Sequence, residues 1–236
     1  MESVQLLAID KNETYSEKVY RQLKQLIVTN QIKPGEALNE RELADSLAVS
    51  RTPIRDALRT LEQEGWIAKK GKQKVISLLT WKTVQELLEI RLPLELMSYD
   101  LAIKKITEQD IEMLQNLTDE MRVTTKAIDP AEYYELMTKD IEVHIQIARI
   151  SKNTKVIQMI SDLGDQLIRT SVLSLQYGDL PIEEYPSRHM RLLECLRKKD
   201  YDVGRETLKE HIATWESHLK KIPNILRVDH EENLIF

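Results

Sequence analysis

Between Trp81 and about Pro223, apolar residues recur every three or four positions and nowhere settle into the alternation a half-buried strand requires. That spacing commits most of the chain to helix. Six helical stretches are predicted, near 82–104, 107–126, 130–150, 153–174, 183–198 and 200–221, separated by the breakers "TEQD", "DP", "SKN", "YGDLP" and "KKD". Pro93 lies inside the first stretch and is expected to kink it. With six glycines and one Phe in 236 residues, and abundant Leu, Ile, Glu and Lys, helix is favoured over sheet throughout.

The first 80 residues are organised differently. "YSEKVYRQLKQLIVTN", residues 15–30, places apolar side chains at 19, 23, 26 and 27 with helical spacing, and Pro34-Gly35 marks a turn. "NERELADSLAV" reads as a second short helix, with Asn39 as its N-cap and Leu43, Ala44 and Leu47 on one face. "SRTP" opens a third, with Ser50 at the cap and Pro53 in the first turn, where a missing N–H costs little. Gly65 ends it, and "WIAKKGKQKVISLL" reads as two short strands around a Lys70-Gly71-Lys72 turn.

On the third helix, Arg51, Arg55 and Arg59 fall within about 80° of one another, with Thr52 beside them, while Ile54, Ala57, Leu58 and Leu61 take the opposite side. The chain carries a net charge of -5, yet residues 51–74 hold seven cations against three anions. Residues 1–80 hold 13 Lys and Arg against 11 Asp and Glu, and the remainder 21 against 28, so the two parts suit different partners. A solvated basic face would explain the arginines taken alone. Three helices followed by a basic hairpin have the order of a winged helix-turn-helix, which places a helix in the DNA major groove and a wing along the backbone. The predicted partner of this part is double-stranded DNA. One recognition helix reads only a few base pairs, so a homodimer on a palindromic operator is expected.

In the helical part, the polar residues on apolar faces carry the information. Projected as a wheel, 130–150 puts Tyr133, Met137, Ile141, Ile145, Ile147 and Ala148 on one arc, with Asp140 and His144 in its middle. His189 is flanked by Leu192, Leu193 and Leu196, and His211 by Leu208, Ile212 and Trp215. A buried carboxylate and three buried imidazoles are costly unless they satisfy one another or a cation. An Asp and a His four residues apart point the same way, and with two further imidazoles they offer four donors to a divalent ion. A helix-surface ion pair or satisfied core histidines are the alternative. Oxygen and nitrogen donors without thiolate suit Zn, Ni, Mn, Co or Fe(II). Arg91 and Glu95 share an apolar arc on the first of the six helices, where an intrahelical ion pair is one expectation.

"IKPGEALNERELADSLAVSRTPIRDALRTLEQEGWI" closely resembles the DNA-binding domain of GntR-family bacterial transcription regulators. The resemblance implies that Arg41, Ser50, Arg51, Thr52 and Arg55 contact operator DNA, with Lys70, Gly71 and Lys72 in the wing. Arginine suits bidentate contact with guanine, and Ser or Thr suits phosphates and base edges. "DIEVHIQIARISKN" and "SRHMRLLECLRKKDYDVGRETLKEHI" resemble the metal motifs of the all-helical FCD domain that defines the FadR branch of that family. This second resemblance assigns the ligands to Asp140, His144, His189 and His211. "EIRLPLE" resembles the domain's first-helix motif, in which Arg91 would hold the carboxylate of a small effector. Pro93 departs from that motif. Together the resemblances span roughly residues 15–222.

The expected fold is mainly α: a winged helix-turn-helix DNA-binding domain over 1–80, then an all-α, FCD-like bundle over 81–236 that binds metal and effector and mediates dimerisation. Cys195 is the single cysteine, which excludes an internal disulfide and a four-cysteine metal site. No apolar run approaches the roughly 20 residues that span a bilayer, and "MESVQLLAIDKNE" lacks the pattern of a signal peptide, so a cytoplasmic location without membrane contact is expected. The expected function is a non-enzymatic transcription regulator whose operator binding is modulated by a small carboxylate at the metal site. A regulator for which the metal itself is the signal is the alternative. A metal-dependent hydrolase would need an open coordination position and a nearby general base, and the sequence offers no evident base.

Overall fold

The computed structural model describes residues 14–121, 130–177 and 184–220. The chain divides into two compact units, Met1–Leu78 and Leu79–Phe236. Among the described residues there are nine α-helices and one three-stranded sheet.

The first unit holds α1 (Tyr15–Val28), β1 (Ala37–Leu38), α2 (Glu40–Ser46), α3 (Arg51–Gln63), β2 (Ile67–Lys70) and β3 (Gln73–Ile76). A capping box starts α1: the Glu17 amide donates to Thr14 Oγ1 at 3.2 Å and the Thr14 amide to Glu17 Oε2 at 2.9 Å, which satisfies two orphan donors. Asn39 caps α2 as predicted, accepting from the Arg41 amide at 2.9 Å. α1 packs on α3, and the buried residues of this pairing are Val19, Leu23 and Ile27 from the one and Ile54, Ala57, Leu58 and Leu61 from the other. Each of the Val, Leu and Ile side chains contributes about 1.5–3 kcal/mol by leaving water. The face that packs is the one the wheel assigned to packing, so the arginine face of α3 is left outward.

The sheet is antiparallel with order β1-β3-β2. β2 and β3 form the expected hairpin, with Lys70 opposite Gln73, and Gly71 (φ +60°) turns the chain in a conformation that side chains with a Cβ seldom adopt. β1 was not anticipated. It is two residues long and is defined by its pairing with β3, Ala37 to Val75 and Leu38 to Lys74. A strand of that length carries no alternation for a sequence pattern to reveal.

The second unit is all helical: α4 (Trp81–Ala102), α5 (Glu108–Asp119), α6 (Pro130–Ile150), α7 (Thr154–Tyr177), α8 (Glu184–Lys198) and α9 (Tyr201–Leu219). The assigned helix α4 continues across Pro93. α4 packs on α6, α7 and α9, and α8 packs on α5 and α9. One core cluster joins Leu94 of α4, Ala148 of α6 and Val156 and Ile160 of α7. The breaks at "TEQD", "SKN" and "KKD" are capped turns. Thr107 accepts from the Asp110 amide at 3.2 Å, Asn153 Oδ1 from the Lys155 and Val156 amides, and Asp200 from the Val203 amide. α9 lies close to α4 because residue 204 is glycine: a Cβ there would fall 1.6 Å from the Tyr99 hydroxyl, which donates to the Asp200 carbonyl at 2.9 Å.

Candidate metal centre and nucleic-acid interface

α6, α8 and α9 each carry ionisable side chains to one place. Asp140 and His144 project from one face of α6, four residues apart. His189 comes from α8 and His211 from α9. The three imidazole rings lie with centroids 4.7, 5.1 and 5.4 Å apart, and His189 Nε2 is 3.3 Å from Asp140 Oδ1. One donor atom from each of the four residues falls within 4.8 Å of the others. Nitrogen and oxygen ligands at about 2.0–2.2 Å from a common ion lie about 3.3–3.6 Å apart in a tetrahedral site. The four donors are therefore gathered around one point, and the widest pair closes by up to about 1 Å to ligate a common ion.

The electrostatics suit such a site. Asp140, His144 and His189 are buried, and His144 Nε2 has no hydrogen-bond partner, which is costly unless a cation takes its lone pair. His211 is partly exposed, yet loss of solvent around its ring, followed by the neighbouring His189 and His144, pushes its pKa well below the ordinary value. A neutral imidazole is the form that ligates. His218 is buried on α9 outside the cluster, and His230 lies outside the described residues.

Arg91 and Glu95 form the intrahelical pair, with Nε 2.5 Å from Oε1 and both side chains under 5% exposed. Arg91 also lies 5.2 Å from the centroid of the Trp215 ring. The second oxygen of Glu95 is 2.7 Å from His144 Nδ1. Burial tends to raise the Glu95 carboxyl, but the Arg91 charge and then His144 outweigh it and hold the group down to about 2. Glu95 was visible in the sequence as a polar residue on an apolar arc. Its contact with a residue 49 positions away was not, because periodicity assigns a face and never a partner.

In the first unit, Arg41, Ser50, Arg51, Thr52, Arg55, Lys70, Gly71 and Lys72 are all exposed. Ser50 stands at the N-cap of α3 without a side-chain capping bond. Arg51 and Lys72 have no ion pair among the described residues, whereas Arg55 is held by Glu40 at 2.8 Å and Arg41 lies 3.8 Å from Asp45. Acidic partners also meet the hairpin: Glu62 is 2.8 Å from Lys69 and 3.6 Å from Lys74. The sequence shows the count of these carboxylates but not which cation each one meets.

A winged helix-turn-helix joined in sequence to an all-helical bundle defines a DNA-binding transcription regulator. The pattern of bacterial regulatory proteins of the gntR family matches residues 15–74, and the FCD domain matches residues 86–214. The chain is 31% identical over 216 residues to the uncharacterized HTH-type transcriptional regulator YdhC of Bacillus subtilis, covering 91% of this chain and 95% of that one. It is 25% identical over 200 residues to the gluconate operon transcriptional repressor of Bacillus licheniformis, covering 82% and 80%. Among solved structures, E. coli McbR/YncC matches with a TM-score of 0.71 and 25% identity over 90% of this chain and 100% of that one. The chain belongs to the GntR family of bacterial transcription regulators and carries an FCD domain. Its relatives are regulators, not enzymes. No helix among the described residues is long and apolar enough to cross a membrane.

Proposed function

We propose that this regulator releases or grips its operator in response to a small carboxylate bound at a metal centre. The convergence of one carboxylate and three imidazoles from three helices onto one point carries the reading. Asp140, His144, His189 and His211 would hold a divalent ion, Zn, Ni, Mn, Co or Fe(II), which supplies a Lewis-acidic anchor for an effector carboxylate. Arg91 would hold the same effector. The relative named as a gluconate operon repressor supports a hydroxy-acid as the chemical class. On the DNA side, Arg41, Ser50, Arg51, Thr52 and Arg55 would meet operator bases and phosphates, and Lys70, Gly71 and Lys72 would form the wing contact. The working form is a cytoplasmic homodimer, residues 1–80 reading DNA and 81–236 sensing and pairing.

The Arg91–Glu95 pair favours a second reading, in which the metal itself is the signal and Arg91 is structural. Titrating operator binding with metal alone, then with metal plus a panel of hydroxy-acids, separates the two. The effector reading requires that an acid change operator affinity only when metal is present, since a ligand shifts a two-state equilibrium only by binding the states differently. A full response to metal alone, unchanged by every acid, would establish the second reading instead.

A further inference from the structure

Each histidine of the cluster has two ring nitrogens to offer, and for His144 the surroundings choose between them. Nδ1 is 2.7 Å from Glu95 Oε2, with both side chains buried, although the ring N–H is not aligned on that oxygen, and Nε2 is buried with no hydrogen-bond partner. A neutral imidazole carries one N–H and one lone pair, so a carboxylate at Nδ1 draws the proton there and leaves the lone pair on Nε2. The nearer contact of Asp140 is to another histidine, its Oδ1 lying 3.3 Å from His189 Nε2. Glu95 is itself fixed from the far side by Arg91, one turn earlier on α4, whose guanidinium lies against Trp215. A chain of contacts therefore runs from Trp215 through Arg91 and Glu95 to the imidazole.

We propose that Glu95 is the positioning residue of the metal centre: it holds His144 in the Nδ1–H form so that Nε2 becomes the ligand, and Arg91 holds Glu95 in place. This rests on the metal reading of the four-residue cluster. Partners of this kind, behind a ligating histidine, fix ring orientation and raise ligand basicity, and their loss weakens metal binding by about 10–100-fold. It also gives the Arg91–Glu95 pair a use beyond an isolated ion pair, since Glu95 spends one oxygen on each neighbour.

The test uses the full chain in five forms: wild type, Glu95→Gln, Glu95→Ala, the double variant Arg91→Met/Glu95→Leu, and His189→Ala. Two quantities are measured. The first is Zn²⁺ affinity by chelator competition, and the second is the His144 tautomer from nitrogen-15 NMR of metal-free protein. Wild type is expected to show the Nδ1–H form. Glu95→Ala and the double variant are expected to shift His144 toward Nε2–H and to bind zinc about 10–100-fold more weakly. Glu95→Gln keeps an acceptor oxygen and is expected to stay closer to wild type in both. The double variant removes both charges together, so it carries the test should Glu95→Ala fail to fold. An Nε2–H tautomer in wild type overturns the proposal. So does zinc affinity in the double variant within about twofold of wild type while His189→Ala abolishes binding, which leaves the metal reading standing. Zinc binding by His189→Ala equal to wild type removes the metal reading and this proposal with it.

Discussion

The two units place their ionisable side chains in opposite environments. In Met1–Leu78 the arginines of α3 and the lysines of the hairpin lie at the surface, either without an ion pair among the described residues, as at Arg51, or against a partly exposed carboxylate, as at Arg55. In Leu79–Phe236 the telling groups, Arg91, Glu95, Asp140, His144 and His189, are buried and lean on one another. A surface cation is hydrated with or without DNA, so its loss is felt in binding and hardly in folding. A buried charge has only its neighbours, so its loss is felt in folding first. The first unit is therefore a set of separable contacts and the second a network.

The sharpest way to break that contrast is Arg91→Ala. It leaves Glu95 ionised in the core with one partner gone, and a loss of about 3–5 kcal/mol is expected in denaturant melts of the second unit. An unchanged midpoint would place Arg91 among the surface-like residues. Arg51→Ala is expected to do the reverse, weakening specific operator binding by about 1–3 kcal/mol with the melting temperature preserved. Full affinity in a gel-shift assay with folded protein would remove Arg51 from the base-reading set. The smallest effect is predicted for Lys72→Ala, which should lower the slope of log affinity against log salt by about 0.9, the share of one phosphate contact. A slope equal to wild type would mean that Lys72 does not touch the backbone.

Features that depend on local spacing were legible in the sequence. The six C-terminal helices, the Asn39 cap, the hairpin turn at Gly71 and the outward arginine face of α3 all follow from periodicity and turn chemistry. The burial of Asp140, His144 and His189 was also foreseeable, because each sits among leucines or isoleucines on a helix face. What escaped depends on pairing between distant residues. β1 exists only through β3, Glu40 meets Arg55 across 15 positions, and Glu95 meets His144 across 49. Arg91 shows the limit most clearly: periodicity placed it on its arc, and only the structure brought the 2.5 Å contact to Glu95 into view.

The buried cluster of the second unit is proposed to be a metal centre whose occupation stabilises the fold. That proposal is tested most directly by measuring metal content and the thermal shift on chelation, for wild type and for His189→Ala and His211→Ala. Wild type is predicted to hold one divalent ion per chain and to lose stability when a chelator removes it, by about 4 kcal/mol if free metal stands a thousandfold above its dissociation constant. Each variant is predicted to hold no ion and to melt at a temperature indifferent to the chelator. Variants that retain a full complement of metal and the wild-type shift, or a wild type that binds no divalent ion, would contradict the account.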